Sequence, residues 1–200
     1  IYFTTGNPQF SIWAPKSLVI ALAAHIFYFI SRSNFQYFPI TNSFDSLSLV
    51  AFSVALIHLI IEKTTGEGKM GVFFISIVFL FQVTASMFHV GDDHIHSLLT
   101  NPIFGIHVSL TLIGISALAI SGLYGLMYWM LAKQIKSHNM GIIYQGMPPL
   151  ERLEDMERLS SILGLVILGI GLFLGHLYAY RVLGYFFSAD PKIIINEQHP

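Results

Sequence analysis

The sequence predicts an all-α fold: a polytopic transmembrane helical bundle of about five spans, forming one integral membrane domain over residues 1–200. Three observations carry this reading. Of the 200 residues, 54% are hydrophobic and only 10% are charged, against about 25% charged in an average soluble domain. Mean hydropathy is +0.67 and aromatic residues reach 14%, which excludes a disordered chain. The apolar residues also fall in continuous blocks. Backbone in lipid must satisfy its own polar groups, so such blocks are helices rather than barrel strands.

The first span is expected at about 17–31 (SLVIALAAHIFYFIS), the second at 44–61 and the third at 70–88. The fourth is expected at 102–135 and the fifth at 159–187. At ~1.5 Å per residue the fourth helix is roughly 50 Å long, against a hydrocarbon core of about 30 Å. Its Lys133/Lys136 end is therefore expected in water. Asn42 or Ser43 is placed to cap the second helix, with Asp45 in its first turn against the helix dipole. Thr100 or Asn101 before Pro102 is a good start for the fourth, because Pro fits the first turn. Thr64–Lys69 (TTGEGK) reads as a polar turn. The loop Ser137–Glu157 ends in ERLEDMER, which reads as a short amphipathic surface helix.

Basic residues orient the bundle. Five spans put Lys16, Lys63, Lys69, Lys133, Lys136, Arg152 and Arg158 on the N-terminal side, and Arg32, Arg181 and Lys192 on the other. Seven against three places the N-terminus in the cytoplasm of a plasma (inner) membrane, with the His89–Asn101 loop and the C-terminus outside. No basic region precedes a short apolar stretch, so no cleavable signal peptide is expected.

Net charge is −1 and the pI is near 6.8, which provides no basic footprint for nucleic acid. The absence of cysteine excludes disulfides, thiolate metal sites and covalent haem attachment. GxSxG, GxxxxGK[ST], HExxH and dinucleotide-binding fingerprints are all missing. A binding or electron-transfer protein is therefore favoured over an enzyme.

Polar side chains in lipid are costly and become functional candidates. Here they are His25, His58, Gln82, His107, His176 and Arg181, with no Asp, Glu or Lys in mid-span. That set argues against a proton- or cation-coupled transporter. It suits a cofactor held by neutral imidazole, of which haem is the obvious one; without cysteine it is a non-covalent haem b. His107, His176 and His25 share an outer-half depth and are expected to converge, with His107 and His176 as the first axial pair and His25 as the alternate. Arg181 is placed to meet a propionate or simply to snorkel. His58 lies one turn from Glu62 and is expected to pair with it near the interface. Small residues follow His107 (Thr111, Gly114, Ser121/Gly122) and precede His176 (Gly169, Gly171, Gly175). They allow either close helix packing or room for a flat macrocycle. In the outer loop, Asp92, Asp93, His94 and His96 have the ligand types for a divalent metal, and a solvated loop explains them equally.

Asn42–Glu62 (NSFDSLSLVAFSVALIHLIIE), Asn101–Lys136 and the stretch PPLERLEDMERLSSILGLVILGIGLFLGH resemble the cytochrome c assembly family, the CcsA/HemX-type haem-handling membrane proteins. Leu183–Lys192 (LGYFFSADPK) falls where that family has a tryptophan-rich WGxxWxWDPKE motif. The resemblance implies haem held for delivery to apocytochrome c. It makes His107 similar to the first of two outer histidines, and His176 similar to an intramembrane haem ligand. The motif is degenerate: Leu183, Phe187 and Ala189 stand at its Trp positions and Ile193 at its Glu, while Gly184, Asp190, Pro191 and Lys192 are kept. The chain ends at Pro200, ahead of the family's later spans and second outer His. These departures point to a chain that keeps a structural or electron-transferring haem, or to a scaffold that has lost it. Three functions thus compete: haem handling for cytochrome c biogenesis, a b-haem electron-transfer subunit of a membrane redox complex, and a haem-free membrane anchor subunit. The partners they imply are other membrane subunits, c-type cytochromes, quinol and the lipid bilayer.

Overall fold

A computed structural model of the chain describes residues 8–33, 40, 42–88, 101–138 and 146–183. Among these residues the regular structure consists of five helices: α1 (Pro8–Ser33), α2 (Ser43–Thr65), α3 (Gly71–Met87), α4 (Pro102–Lys136) and α5 (Leu150–Leu183). The start signals act as read. Asn42 Oδ1 accepts from the Asp45 amide at 2.9 Å, and Asn101 Oδ1 accepts from the Ile103 amide at 2.9 Å, just before Pro102. Helix α2 closes at Gly66, whose left-handed φ of 71° lets its amide reach the Glu62 carbonyl at 2.9 Å.

Helices α1, α2, α4 and α5 are long and apolar enough to cross a membrane. Helix α3 is equally apolar but has 17 residues; at ~1.5 Å per residue it spans about 26 Å, just under a typical hydrocarbon core. Large apolar side chains project outward all along the bundle, including Phe27 (71% exposed) and Phe173 (63% exposed). In water such a belt is an aggregation surface; in lipid it is the solvated face.

Two expected boundaries change. Helix α1 starts well before residue 17 and carries Pro15 inside it. The charged run ERLEDMER is not a separate surface helix but the opening turns of α5. Leu153, Met156 and Ser160 lie on one face of those turns and are fully buried, while Glu151, Arg152, Glu154, Asp155 and Arg158 stay exposed. That stripe joins the core, so the helix continues unbroken into the span.

Helix α2 is the hub and packs against all four others, while α4 and α5 form the most extensive pair. The main core lies among α2, α3, α4 and α5 and includes Ile57, Ile61, Phe74, Ile120, Tyr124, Leu131, Leu153 and Met156. A smaller cluster of Leu22, Ala55 and Leu59 joins α1 to α2.

Candidate functional site

The α4–α5 seam positions His107. Gly114 faces Leu168, Leu118 faces Gly164, Thr111 faces Gly171 and His107 faces Gly175. Further along, Ser121 Oγ donates to Glu157 Oε1 at 3.3 Å. Along α4 the contacts step by four, three, four and three residues while α5 runs the opposite way. This is the 3.5-residue period of an antiparallel helix seam built on small residues. A Cβ at Gly114 would lie 2.6 Å from the Leu168 amide nitrogen, and one at Gly171 would lie 2.9 Å from the Thr111 amide nitrogen. Only glycine permits this approach.

At the end of the seam, His107 Nδ1 lies 2.7 Å from the Gly171 carbonyl oxygen. A carbonyl only accepts, so Nδ1 carries the proton and Nε2 keeps its lone pair. Thr111 Oγ1 donates to the His107 carbonyl at 2.8 Å and lies 3.4 Å from Nδ1. The same Nδ1–Cε1–Nε2 edge of the ring fits against Gly175, where a Cβ would lie 2.5 Å from Nδ1 and 2.8 Å from Nε2. Phe104 stacks toward Tyr178 at 5.6 Å beside it.

His176 follows Gly175 and is half-buried. The face running back from it does not meet α4: Leu172 is 55% exposed, and a Cβ at Gly169 would meet nothing within 4 Å among the described residues. Of the two uses open to the small residues, Gly164, Gly171 and Gly175 serve close helix packing. Gly122 likewise lies outside the seam, which passes through Ser121. Arg181 is exposed in the last turn of α5.

His25 belongs to a different group of helices. Its Nε2 lies 3.0 Å from Ser48 Oγ on α2, and Ser48 Oγ donates to Gln82 Oε1 on α3 at 3.0 Å. His25 and His107 therefore lie in different places, His25 among α1, α2 and α3 and His107 between α4 and α5, and do not converge on one site. His58 is 1% exposed, buried inside the bundle. Its Nε2 sits 3.6 Å from Glu62 Oε2, and its ring stacks on Phe74 at 5.4 Å. Gly71 makes room for this ring, since a Cβ there would lie 3.0 Å from Nε2. Sequence reasoning missed one participant, Ser48. Serine is common in such spans and does not stand out until its neighbours are known.

His89, Asp92, Asp93, His94 and His96 lie outside the described residues, as do the residues following Leu183 that overlap the degenerate motif. Among the described residues, no group of three His, Cys, Asp or Glu side chains comes together to hold a metal ion.

The sequence profile described as "Cytochrome C assembly protein" matches residues 40–196, most of the chain. The chain belongs to the cytochrome c assembly protein family. A curated relative, Protein HemX of Brevibacillus brevis, is 25% identical over 198 residues, covering 98% of this chain and 72% of its own. No solved structure matches the chain. The family match begins just before α2. It therefore contains His107, His176 and Arg181 and leaves out α1 with His25.

For a haem, the donor set fits at His107. A histidine ligand usually donates its second ring N–H to a carbonyl or carboxylate, which fixes its tautomer and orientation. The Gly171 carbonyl would fill that role for His107 and leave the lone pair on Nε2.

Proposed function

We propose that this chain handles haem for cytochrome c biogenesis, holding a non-covalent b-type haem through His107 and His176. The observation that carries the proposal is the bond from His107 Nδ1–H to the Gly171 carbonyl at 2.7 Å. It holds a neutral imidazole in the tautomer a haem iron requires, on a helix pair too tightly packed to swing. Gly175 supports the same reading, because any side chain there would displace the ring. Arg181, two turns or less beyond His176, is the cation for a propionate. When bound, haem would be passed on whole to an apocytochrome or would cycle its iron between redox states. The residues of this chain fix its position and exclude water.

The basic-residue bias supports a cytoplasmic N-terminus and an outward-facing His107 end, where apocytochromes c and other membrane subunits would be met. The test is a reduced-minus-oxidised spectrum with haem extraction on the protein purified from its native membrane. A low-spin Soret and α-band pair is expected, lost in His107→Ala and in His176→Ala. Deletion is expected to abolish c-type cytochromes. A protein with no Soret band, and variants that leave c-type cytochromes at normal levels, would overturn the proposal.

A further inference from the structure

We propose that the groove among α1, α2 and α3 is a second site, binding a lipid-soluble quinol by its head-group hydroxyl. The groove encloses about 370 Å³, within the range of small-molecule sites. Leu18, Ala21, Ala55 and Phe79 form apolar walls, and His25 and Gln82 supply its polar part.

The hydrogen bonds across the groove have a direction. Ser48 Oγ gives its proton to Gln82 Oε1 at 3.0 Å. Its oxygen can then only accept from His25, 3.0 Å away, so His25 Nε2 carries the ring proton. The Gln82 amide nitrogen is engaged by Ser86 Oγ at 3.3 Å. Among the described residues no hydrogen bond reaches His25 Nδ1, a lone-pair acceptor in this tautomer on a ring that lines an apolar groove. Interhelical adhesion explains the Ser48–Gln82 bond between α2 and α3. It accounts as well for the His25–Ser48 bond between α1 and α2, but among the described residues it gives the second ring nitrogen, Nδ1, no partner.

An acceptor at the end of an apolar groove selects a hydroxyl donor on an apolar body. Two aromatic side chains line the groove with His25: Phe79, and Tyr28 with its ring 6.2 Å from the His25 ring centroid. Such surroundings favour a flat ring bearing the hydroxyl over an acyl chain. The site is independent of the haem reading, since α1 lies outside both the α4–α5 seam and the family match.

The test is equilibrium binding to the full chain in phosphatidylcholine nanodiscs, with empty nanodiscs correcting for partition. The probes are decylubiquinol kept reduced, decylubiquinone and n-undecane. Decylubiquinol is expected to bind about tenfold tighter than decylubiquinone, which offers acceptors only. n-Undecane is expected to show no saturable binding. His25→Phe is expected to weaken quinol binding about tenfold. Ala21→Phe, on an exposed stretch of α1 that tolerates bulk, is expected to abolish it by filling the groove. His107→Ala is expected to leave it unchanged, whatever happens to haem. Equal binding of all three probes, or quinol binding that survives both His25→Phe and Ala21→Phe, would overturn the proposal.

Discussion

His107 on α4 and Gly175 on α5 fit together as ring and notch: a Cβ at Gly175 would lie 2.5 Å from His107 Nδ1. The same ring is held by the Gly171 carbonyl. Ring orientation and helix packing are therefore one arrangement at this point, and a change in either is felt by both.

Gly175→Ala tests this directly. The added methyl forces the ring or the helix to move, an overpacking that costs about 1–3 kcal/mol. Thermal unfolding in detergent is expected to report that loss, together with loss of any histidine-ligated haem signal. Gly169→Ala, one and a half turns away on the open face, meets nothing within 4 Å among the described residues. It is expected to be neutral or to gain up to about 1 kcal/mol from helix propensity. Equal effects of the two substitutions would show that the seam does not pass through Gly175.

Much of this arrangement was legible in the sequence, and the boundary of what was legible is physical. Asn42, Asn101 and Pro102 act within one helical turn, so their capping roles follow from local chemistry. Apolar run length set the spans for the same reason. The positions of His25, His107 and His176 along their helices were readable too, because they follow from counting residues. Their bearing around the bundle was not. It depends on which helices are neighbours, and α2 lies against α1 while α4 lies against α5. The choice between helix packing and cofactor space likewise needed the partner, since Gly171 and Gly169 look alike until one faces Thr111 and the other faces outward.

His58 and Glu62 form a pair in a site where either alone is poorly accommodated. Nε2 to Oε2 is 3.6 Å, and His58 Nδ1 has no hydrogen-bond partner among the described residues. His58→Phe keeps the stack on Phe74 but strands the carboxylate; Glu62→Leu strands the imidazole. Each single change is expected to cost about 1–3 kcal/mol. The double variant is expected to return to within about 1 kcal/mol of the parent, because no uncompensated polar group remains. A double-mutant cycle on unfolding midpoints checks this, and simple additivity would exclude coupling.

Asn101 holds the entry to the helix that carries His107. Its Oδ1 accepts from the Ile103 amide at 2.9 Å. Asn101→Ala is expected to cost about 1 kcal/mol. The loss is local, so amide exchange at Ile103 is expected to speed up about fivefold. Exchange at buried Ile120, in the middle of α4, is expected to stay as it was. Unchanged exchange at Ile103 would mean that Pro102 alone sets the helix start.

The opening turns of α5 offer the sharpest contrast between composition and packing. By composition ERLEDMER belongs on a surface, yet Leu153 and Met156 within it have no exposed area and join the core with Tyr124 and Leu131. A surface helix resting on lipid headgroups would keep these side chains only loosely held, and truncating them would cost little. In a helix continuous with the span, each truncation leaves a cavity in the main core. Leu153→Ala and Met156→Ala are therefore each expected to cost about 2–5 kcal/mol, whereas the exposed neighbour Glu154→Ala is expected to stay within about 0.5 kcal/mol of the parent. Unfolding in detergent measures all three. Small effects at all three positions would detach these turns from the bundle and return them to the membrane surface.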